Sequence, residues 1–491
     1  MRRSELLDEN GMDPRGLSDL DIRGLTADSR AVQPGFLFAA LPGAQVDGRS
    51  FIADAVARGA SAVLAPPGTD LGEARTNNTG AVRLITDSNP RRRFALMAAR
   101  YFNAQPGTVA AVTGTNGKTS VATFSQQLWT QLGHQAGYLG TLGAWAPGLQ
   151  RIGSLTTPDP VALHQLLAEM ARGGATHLAM EASSHGLHQF RMDGVKIAIG
   201  AFTNLTRDHL DYHGSIAAYM SAKLHLFSDV MAAGGVAVLN ADSSEFPAFE
   251  AACKLRGHRV LSFGKAGTAL TLHDLRVEGD AQHLSLSVFG KRYGVRLPLA
   301  GAFQASNALC ALGCVLAGGA DADRAVAALA NLRGVPGRME QAGTTKTGAP
   351  VYVDYAHTPD ALETVLVALR PHVGDGGRLA VVFGCGGDRD KGKRRLMGER
   401  AQSLADLLFV TDDNPRTEAA AEIRAQVMQG CPRATEIADR ADAIATAITS
   451  LRSGDVLLIA GKGHETGQIV GTAVLPFNDV DVARAVLGAP S

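Results

Sequence analysis

Apolar residues along this chain come mostly in short unbroken runs. They fall at 36–40, 61–65, 82–85, 108–112, 177–180, 197–199, 236–239, 351–353, 379–383, 407–410 and 456–460. Runs of three to five such residues, bounded by glycine or polar clusters, predict strands buried on both faces. Helical spacing lies between them, near 51–58 and from the end of the 113–119 segment to about 132. Strand alternating with helix predicts an α/β protein with parallel sheets covered by helices on both faces. The polar stretch 70–80 reads as a surface loop, and Asp87-Ser88-Asn89-Pro90 as a turn. Glycine and proline cluster again in Leu332-Arg333-Gly334-Val335-Pro336-Gly337-Arg338. These two breaks divide the chain into segments 1–88, 89–333 and 334–491, with hinges expected at 89–90 and 334–337.

Length agrees with that division, since 491 residues make about three domains at roughly 150 residues each. Lys plus Arg and Asp plus Glu are 47 each, which argues against a nucleic-acid partner, because such binding needs surplus cations. No apolar segment follows Met1-Arg2-Arg3-Ser4-Glu5, so no secretory signal is expected. The longest uncharged apolar stretch, 308–320, falls short of the ~20 residues of a membrane span. Five scattered cysteines do not make a disulfide framework. Cys310 and Cys314 would share a helix face, where small-residue packing explains them better than zinc. A soluble protein of a reducing compartment is expected.

Candidate chemistry starts at Gly114-Thr115-Asn116-Gly117-Lys118-Thr119-Ser120. Set between a predicted strand and a predicted helix, this segment has the form of a phosphate-binding loop. Its glycines let backbone N–H groups face phosphate oxygens, and the helix N-terminus adds partial positive charge. Lys118 would reach the outer phosphates and Thr119 would offer a hydroxyl to magnesium. A nucleoside triphosphate can drive hydrolysis, phosphoryl transfer, motion or ligation, and the loop does not choose among them.

A second cluster follows two later strands: Glu181-Ala182-Ser183-Ser184-His185-Gly186, and Asn204-Leu205-Thr206-Arg207-Asp208-His209-Leu210-Asp211. Strand carboxyl ends are where open α/β sheets place ligands, so Glu181 and His209 are expected to face the phosphate loop's crevice. A few protein ligands plus phosphate oxygens suit magnesium rather than zinc.

Together these segments resemble the Mur ligase family. The likeness extends through Val353-Asp354-Tyr355-Ala356-His357-Thr358-Pro359-Asp360, Gly384-Cys385-Gly386-Gly387-Asp388-Arg389-Asp390 and Gly461-Lys462-Gly463-His464-Glu465. It implies three α/β domains: 1–88 holding the UDP end of the substrate, 89–333 a central parallel-sheet domain with the phosphate loop that holds ATP, and 334–491 a Rossmann-like domain for the incoming amino acid. Asp413-Asn414-Pro415-Arg416 looks like the segment of members that add meso-diaminopimelate to UDP-N-acetylmuramoyl-L-alanyl-D-glutamate. The implied reaction is ATP-dependent ligation through an acyl phosphate, giving the UDP-linked tripeptide for peptidoglycan synthesis in a bacterial cytoplasm, by a monomer.

By this resemblance Lys118, Glu181, His209 and Lys223 are catalytic, and Thr119, Glu181, His209 and Lys223 hold magnesium. Periodicity alone makes Lys223 a solvated helix lysine. In similar enzymes the matching lysine is carbamylated, which requires a neutral amine in a desolvated site. The resemblance adds Asn307, Arg338 and Asp354 to the phosphate loop as ATP contacts. It assigns Ser29, Ala44, Gln45, Val46, Thr156, Thr157, Ser183, Gln189 and Arg191 to the UDP-substrate; Gln304 and Leu155 stand where the family commonly carries Asn. It assigns Arg389, Asp413, Asn414, Pro415, Arg416, Gly461 and Glu465 to diaminopimelate.

Diaminopimelate differs from lysine chiefly by a far carboxylate, which a guanidinium fork binds through two parallel hydrogen bonds. Arg416 supplies the fork, and Glu465 is placed to meet the far ammonium. Lysine in that site would leave Arg416 uncompensated, a penalty of ~2–5 kcal/mol. The competing readings are a lysine-adding relative, a folylpolyglutamate synthase, a silent nucleotide-binding regulator and a plain ATPase. Arg416 argues against the first. The 413–416 cluster with Asp28-Ser29-Arg30 argues against the second, and the retained Lys118, Thr119, Glu181, His209 and Lys223 against the third. A plain ATPase would release phosphate without either co-substrate.

Overall fold

The computed structural model describes residues 21–43, 46–77, 80–153, 155–206, 208–279 and 281–488. They form two compact units: the described residues up to Ser262 with Gly313–Gly319, and Phe263–Leu312 with the described residues from Ala320 onward.

In the first unit, strands Gly24–Thr26, Phe36–Ala39, Ala62–Ala65 and Arg83–Thr86 lie parallel in chain order. Side chains alternate across this sheet. Leu37 and Ala39 pack with Phe94, Met97 and Ala98 of helix Pro90–Phe102, whereas Phe38 and Ala40 pack with Ile52, Ala55 and Val56 of helix Ile52–Ala57. The expected turn at 87–90 becomes a helix start. Asn89 accepts a hydrogen bond from the Arg92 N–H, and Pro90 takes the first helical position, where its missing N–H costs no helical bond. The helix so begun covers the first sheet. The 70–80 stretch holds a small antiparallel pair, Thr76–Asn77 with Gly80–Ala81.

The unit's second sheet runs in the order Leu149–Arg151, Gly143–Ala146, Ala136–Gly140, His177–Glu181, Thr108–Thr113, Ile197–Phe202, Met231–Asn240. From Ala136–Gly140 onward these strands are parallel; the two outer ones are antiparallel. Val109, Ala111, Leu139, Met180 and Phe202 enter one core with Leu163 and Leu167 of helix Pro160–Arg172, which Asp159 caps. The register sets Glu181 beside Val112 and Phe202 beside Thr113. Three strands therefore deliver their carboxyl ends side by side.

In the second unit, strand Glu340–Thr344 lies antiparallel to Pro350–Asp354, which continues through parallel Val456–Ala460, Leu379–Phe383, Leu407–Val410 and Thr435–Glu436. Val381, Phe383 and Leu458 enter one apolar cluster, and Val382, Leu457 and Ile459 another. This unit also carries an antiparallel meander, Leu270–Glu278, Ala281–Val288 and Lys291–Leu297, that the apolar runs do not predict. The apolar stretch from 308 lies in helix Ala302–Ala317, where Cys310 and Cys314 are buried. Among the described residues no helix is long and apolar enough to cross a membrane.

Candidate functional site

The phosphate loop leaves strand Thr108–Thr113 and enters helix Lys118–Gln131 through Gly117, whose φ of +89° only glycine adopts without strain. A side chain on Gly114 would place its Cβ 1.9 Å from Thr203 Oγ1, so the loop approaches the neighbouring strand end more closely than any other residue permits. That strand end fixes the loop's shape. Asn204 Oδ1 accepts from the Asn116 N–H at 2.9 Å, Thr203 Oγ1 donates to the Asn116 carbonyl at 2.6 Å, and Thr115 N donates to the Asn204 carbonyl. Thr119 and Ser120 are buried at the helix start. Lys118 Nζ folds back to donate to the carbonyls of Gly114 (3.0 Å) and Thr115 (2.7 Å).

Lys223, on helix Ile216–His225, is 1% exposed. Its Nζ donates to the Gly114 carbonyl at 2.8 Å and lies 4.2 Å from the centre of the Tyr219 ring. Burial drives its pKa well below the ordinary lysine value, the nearby Lys118 ammonium adds to the shift, and Asp208 opposes it. Tyr219 OH in turn donates to Thr115 Oγ1 at 3.2 Å.

Glu181, fully buried at its strand's end, receives three hydrogen bonds: Tyr138 OH (2.5 Å) and Thr141 N–H (2.9 Å) to Oε1, and Thr141 Oγ1 (3.1 Å) to Oε2. His209 precedes the short helix Leu210–His213 with φ +51°, and its ring is 4.9 Å from His185 and 6.1 Å from Tyr219. Nearby, burial pushes the His213 imidazole down to about 4. The mutual ring contacts of His185, Tyr212 and His213, and the Tyr138–Thr141 clamp on Glu181, are features that the linear sequence does not show.

Thr157, Ser183, Gln189 and Arg191 form one network. Thr157 Oγ1 accepts from Ser183 N–H and Oγ, Arg191 Nη1 donates to the Thr157 carbonyl at 2.7 Å, and Arg191 Nη2 to Gln189 Oε1 at 2.8 Å. Thr156 Oγ1 lies 3.0 Å from Thr141 Oγ1. A cavity of about 520 Å³ opens beside this network, lined by Thr26, Asp28, Arg91, Asp159, Gln189 and Arg191 among others. Ser29 is buried with its hydroxyl on the Asp54 carboxylate, so Thr26 and Asp28 rather than Ser29 present side chains to the cavity. Val46 is exposed, and Ala44 and Gln45 lie outside the described residues.

In the second unit, Asn307 Nδ2 donates to Gln304 Oε1 (2.9 Å), and Gln304 Nε2 to the Arg338 carbonyl (3.3 Å). The Arg338 guanidinium sits 4.6 Å from the Tyr355 ring centre. Asp354 accepts from the N–H groups of Met339 and Ala356, while burial raises its pKa.

Asp413, Asn414 and Pro415 are buried just beyond strand Leu407–Val410. Arg416 lies at an isolated bridge between that strand and the next helix. Its φ is +51°, it pairs with Val470 of hairpin Gly467–Val470/Ala473–Pro476, and the next helix begins at Ala420. Its Nη1 donates to the Gly387 carbonyl at 2.8 Å. Gly461 has φ +118°, and a Cβ there would meet Asp413 Oδ2 at 2.7 Å. Glu465 Oε2 accepts from Asn414 Nδ2 (2.9 Å) and from the fully buried Lys462 Nζ (3.0 Å). Arg389 is exposed on the 384–390 loop. Two buried arginines, silent in the sequence pattern, support this cluster. Arg440 pairs with Asp479 and donates to the Ala460 carbonyl, and Arg394 grips Glu418 with both terminal nitrogens.

Family models described as Mur ligase family, catalytic domain; Mur ligase middle domain; and Mur ligase, glutamate ligase domain match residues 21–101, 112–315 and 337–463. The UDP-N-acetylmuramoyl-L-alanyl-D-glutamate–2,6-diaminopimelate ligase of Bradyrhizobium diazoefficiens is 49% identical over 100% of this chain and 99% of its own. The protein of the same name from Mesorhizobium japonicum is 50% identical over 96% of each chain. A solved structure of a protein of that name aligns with a TM-score of 0.74 at 33% identity, covering 99% of both chains.

Proposed function

The chain belongs to the Mur ligase family, and from that premise we propose that it joins meso-2,6-diaminopimelate to the D-glutamate of UDP-N-acetylmuramoyl-L-alanyl-D-glutamate, converting ATP to ADP and phosphate. A glutamate carboxylate oxygen attacks the γ-phosphorus and ADP departs, leaving an acyl phosphate. The amine nitrogen of diaminopimelate then attacks the acyl carbon, phosphate leaves, and the nitrogen gives its proton to solvent. The first step sets an anion against a polyanion. Lys118, held on the loop's own carbonyls, is the cation within reach of a triphosphate seated there.

The observation that carries this reading is the buried Lys223 amine on the Gly114 carbonyl. A plain phosphate loop has no use for a desolvated lysine at its first glycine. Carbamylation needs the neutral amine that burial favours, and it turns the side chain into an anion. Thr119, Glu181, His209 and the carbamylated Lys223 would hold magnesium, which neutralises phosphate charge when bound. The donor set is three oxygen donors (a hydroxyl, a carboxylate and a carbamate) with one imidazole, and its mainly oxygen character fits a hard cation.

The network from Thr156 to Arg191 and the adjoining cavity would take the UDP-substrate, Asn307, Arg338 and Asp354 the nucleoside, and 413–416 with Arg389, Gly461 and Glu465 the acceptor. The same reading makes the enzyme a cytoplasmic monomer. An amine-acceptor panel with ATP and the UDP-dipeptide, scored by product mass, tests it. Diaminopimelate should extend the dipeptide and lysine should not. ATP consumption without a lengthened product would overturn the proposal.

A further inference from the structure

The Lys462 side chain is fully buried, yet it belongs to neither apolar cluster of its unit. Its Nζ lies 3.0 Å from Asn414 Oδ1 and 3.0 Å from Glu465 Oε2. The Ile469 N–H also points at Asn414 Oδ1, at 2.9 Å. With two donors converging on one side, the amide must present its oxygen there. Its Nδ2 is thereby aimed at Glu465 Oε2, which it meets at 2.9 Å. Glu465 receives both of these hydrogen bonds on Oε2, while Oε1 has no hydrogen-bond partner among the described residues. One ammonium thus fixes the amide flip of Asn414 and holds the Glu465 carboxylate by one oxygen, with the other left for a ligand. These groups come from separate segments, after strands Leu407–Val410 and Val456–Ala460 and in the 467–470 strand, so local chain geometry alone does not bring them into register.

We infer that Lys462 is a positioning residue for the amine acceptor, locking Asn414 and Glu465 into the single arrangement that receives the far end of diaminopimelate. The inference rests on the proposed function and adds a residue that the family resemblance does not assign. Without the ammonium, Glu465 keeps only the Asn414 amide, and that amide loses the charge-assisted bond that selects its orientation.

The test compares the full-length wild type with Lys462→Met in steady-state ligation, varying each substrate in turn. Losing charge-assisted bonds at the acceptor should raise the KM for diaminopimelate about 10- to 100-fold. The KM values for ATP and UDP-dipeptide, and positional isotope exchange within ATP in the absence of acceptor, should stay within about twofold of wild type. Because Lys462 acts through Glu465, the Lys462→Met/Glu465→Gln double variant should be no worse than Glu465→Gln alone. Lys462→Gln, which retains a donor, serves if the methionine variant does not fold.

An unchanged acceptor KM, a parallel rise in all three KM values, additive losses in the double variant, or failure of both single variants to fold would each overturn the inference. Failure of the wild type to extend the dipeptide would instead overturn the functional reading itself.

Discussion

Two lysines of this chain are equally hidden from water and meet opposite surroundings. Lys223, 1% exposed, faces a backbone carbonyl and the ring of Tyr219, with a second lysine close by. Lys462, 0% exposed, is met by the Glu465 carboxylate and the Asn414 amide oxygen. A buried ammonium is costly unless it is paired. The first environment therefore drives its amine toward neutrality, where it can react with carbon dioxide. The second supplies a counter-charge and turns the cation into a clamp. Burial by itself does not tell a reactive lysine from a structural one; the groups that face it do.

The harshest way to break this contrast is to strip a buried cation of its partner. Arg440 and Asp479 are both fully buried and pair through two hydrogen bonds at 2.7 and 2.8 Å. Asp479→Ala should cost about 3–5 kcal/mol in the stability of the second unit, because an uncompensated guanidinium remains inside. Denaturant unfolding checks this; a loss under about 1 kcal/mol would mean that water or another group replaces the carboxylate. At the other lysine, Lys223→Ala should lower ligation about 10²- to 10³-fold, the scale of removing one electrostatic group from an active site. Added formate or acetate should restore part of the rate by standing in for the carbamate. Wild-type turnover in the variant would end the assignment.

Arg416→Ala sharpens the acceptor side of the comparison. Removal of the fork should cost about 2 kcal/mol or more in kcat/KM for diaminopimelate, with a smaller change in the KM for ATP. Equal losses with lysine and diaminopimelate would defeat the fork's role in selection. The smallest effect is expected at Glu418, whose carboxyl is held down to about 2, chiefly by the Arg394 side chain and then by the Asp388 N–H. Its folded pKa lies below the ordinary 4.5, so the unfolded chain takes up the proton first as pH falls. The stabilisation it contributes is complete above 4.5, fades between 4.5 and about 2, and should vanish from the pH profile of Glu418→Gln. Superimposable unfolding profiles for wild type and variant across that window would contradict it.

The same contrast explains what could be read in the sequence. The phosphate loop and Glu181 are legible because glycine, a helix-start lysine and a strand end are local features. The central strands are legible because strands buried on both faces read as unbroken apolar runs. The 270–297 meander is not: in Leu270–Glu278 apolar residues alternate with His273, Asp274 and Arg276, a period-two signal that a search for continuous runs passes over. Lys223 looks solvated by helical spacing, and only the family resemblance singles it out. The carbonyl that receives its hydrogen bond, Gly114, lies 109 positions away in the chain. Lys462, Arg394 and Arg440 leave no trace in periodicity, because a buried charge is defined by partners on other segments. The conformation of Arg416 is hidden for a related reason: pairing with Val470, on another segment, holds the residue at positive φ.

The claim that desolvation prepares Lys223 for chemistry is tested most directly by carbon-13 NMR of the protein equilibrated with labelled bicarbonate near neutral pH. A carbamate resonance that is present in the wild type and absent from Lys223→Met is the predicted result. No carbamate signal in the wild type, or one that persists in the variant, would contradict it.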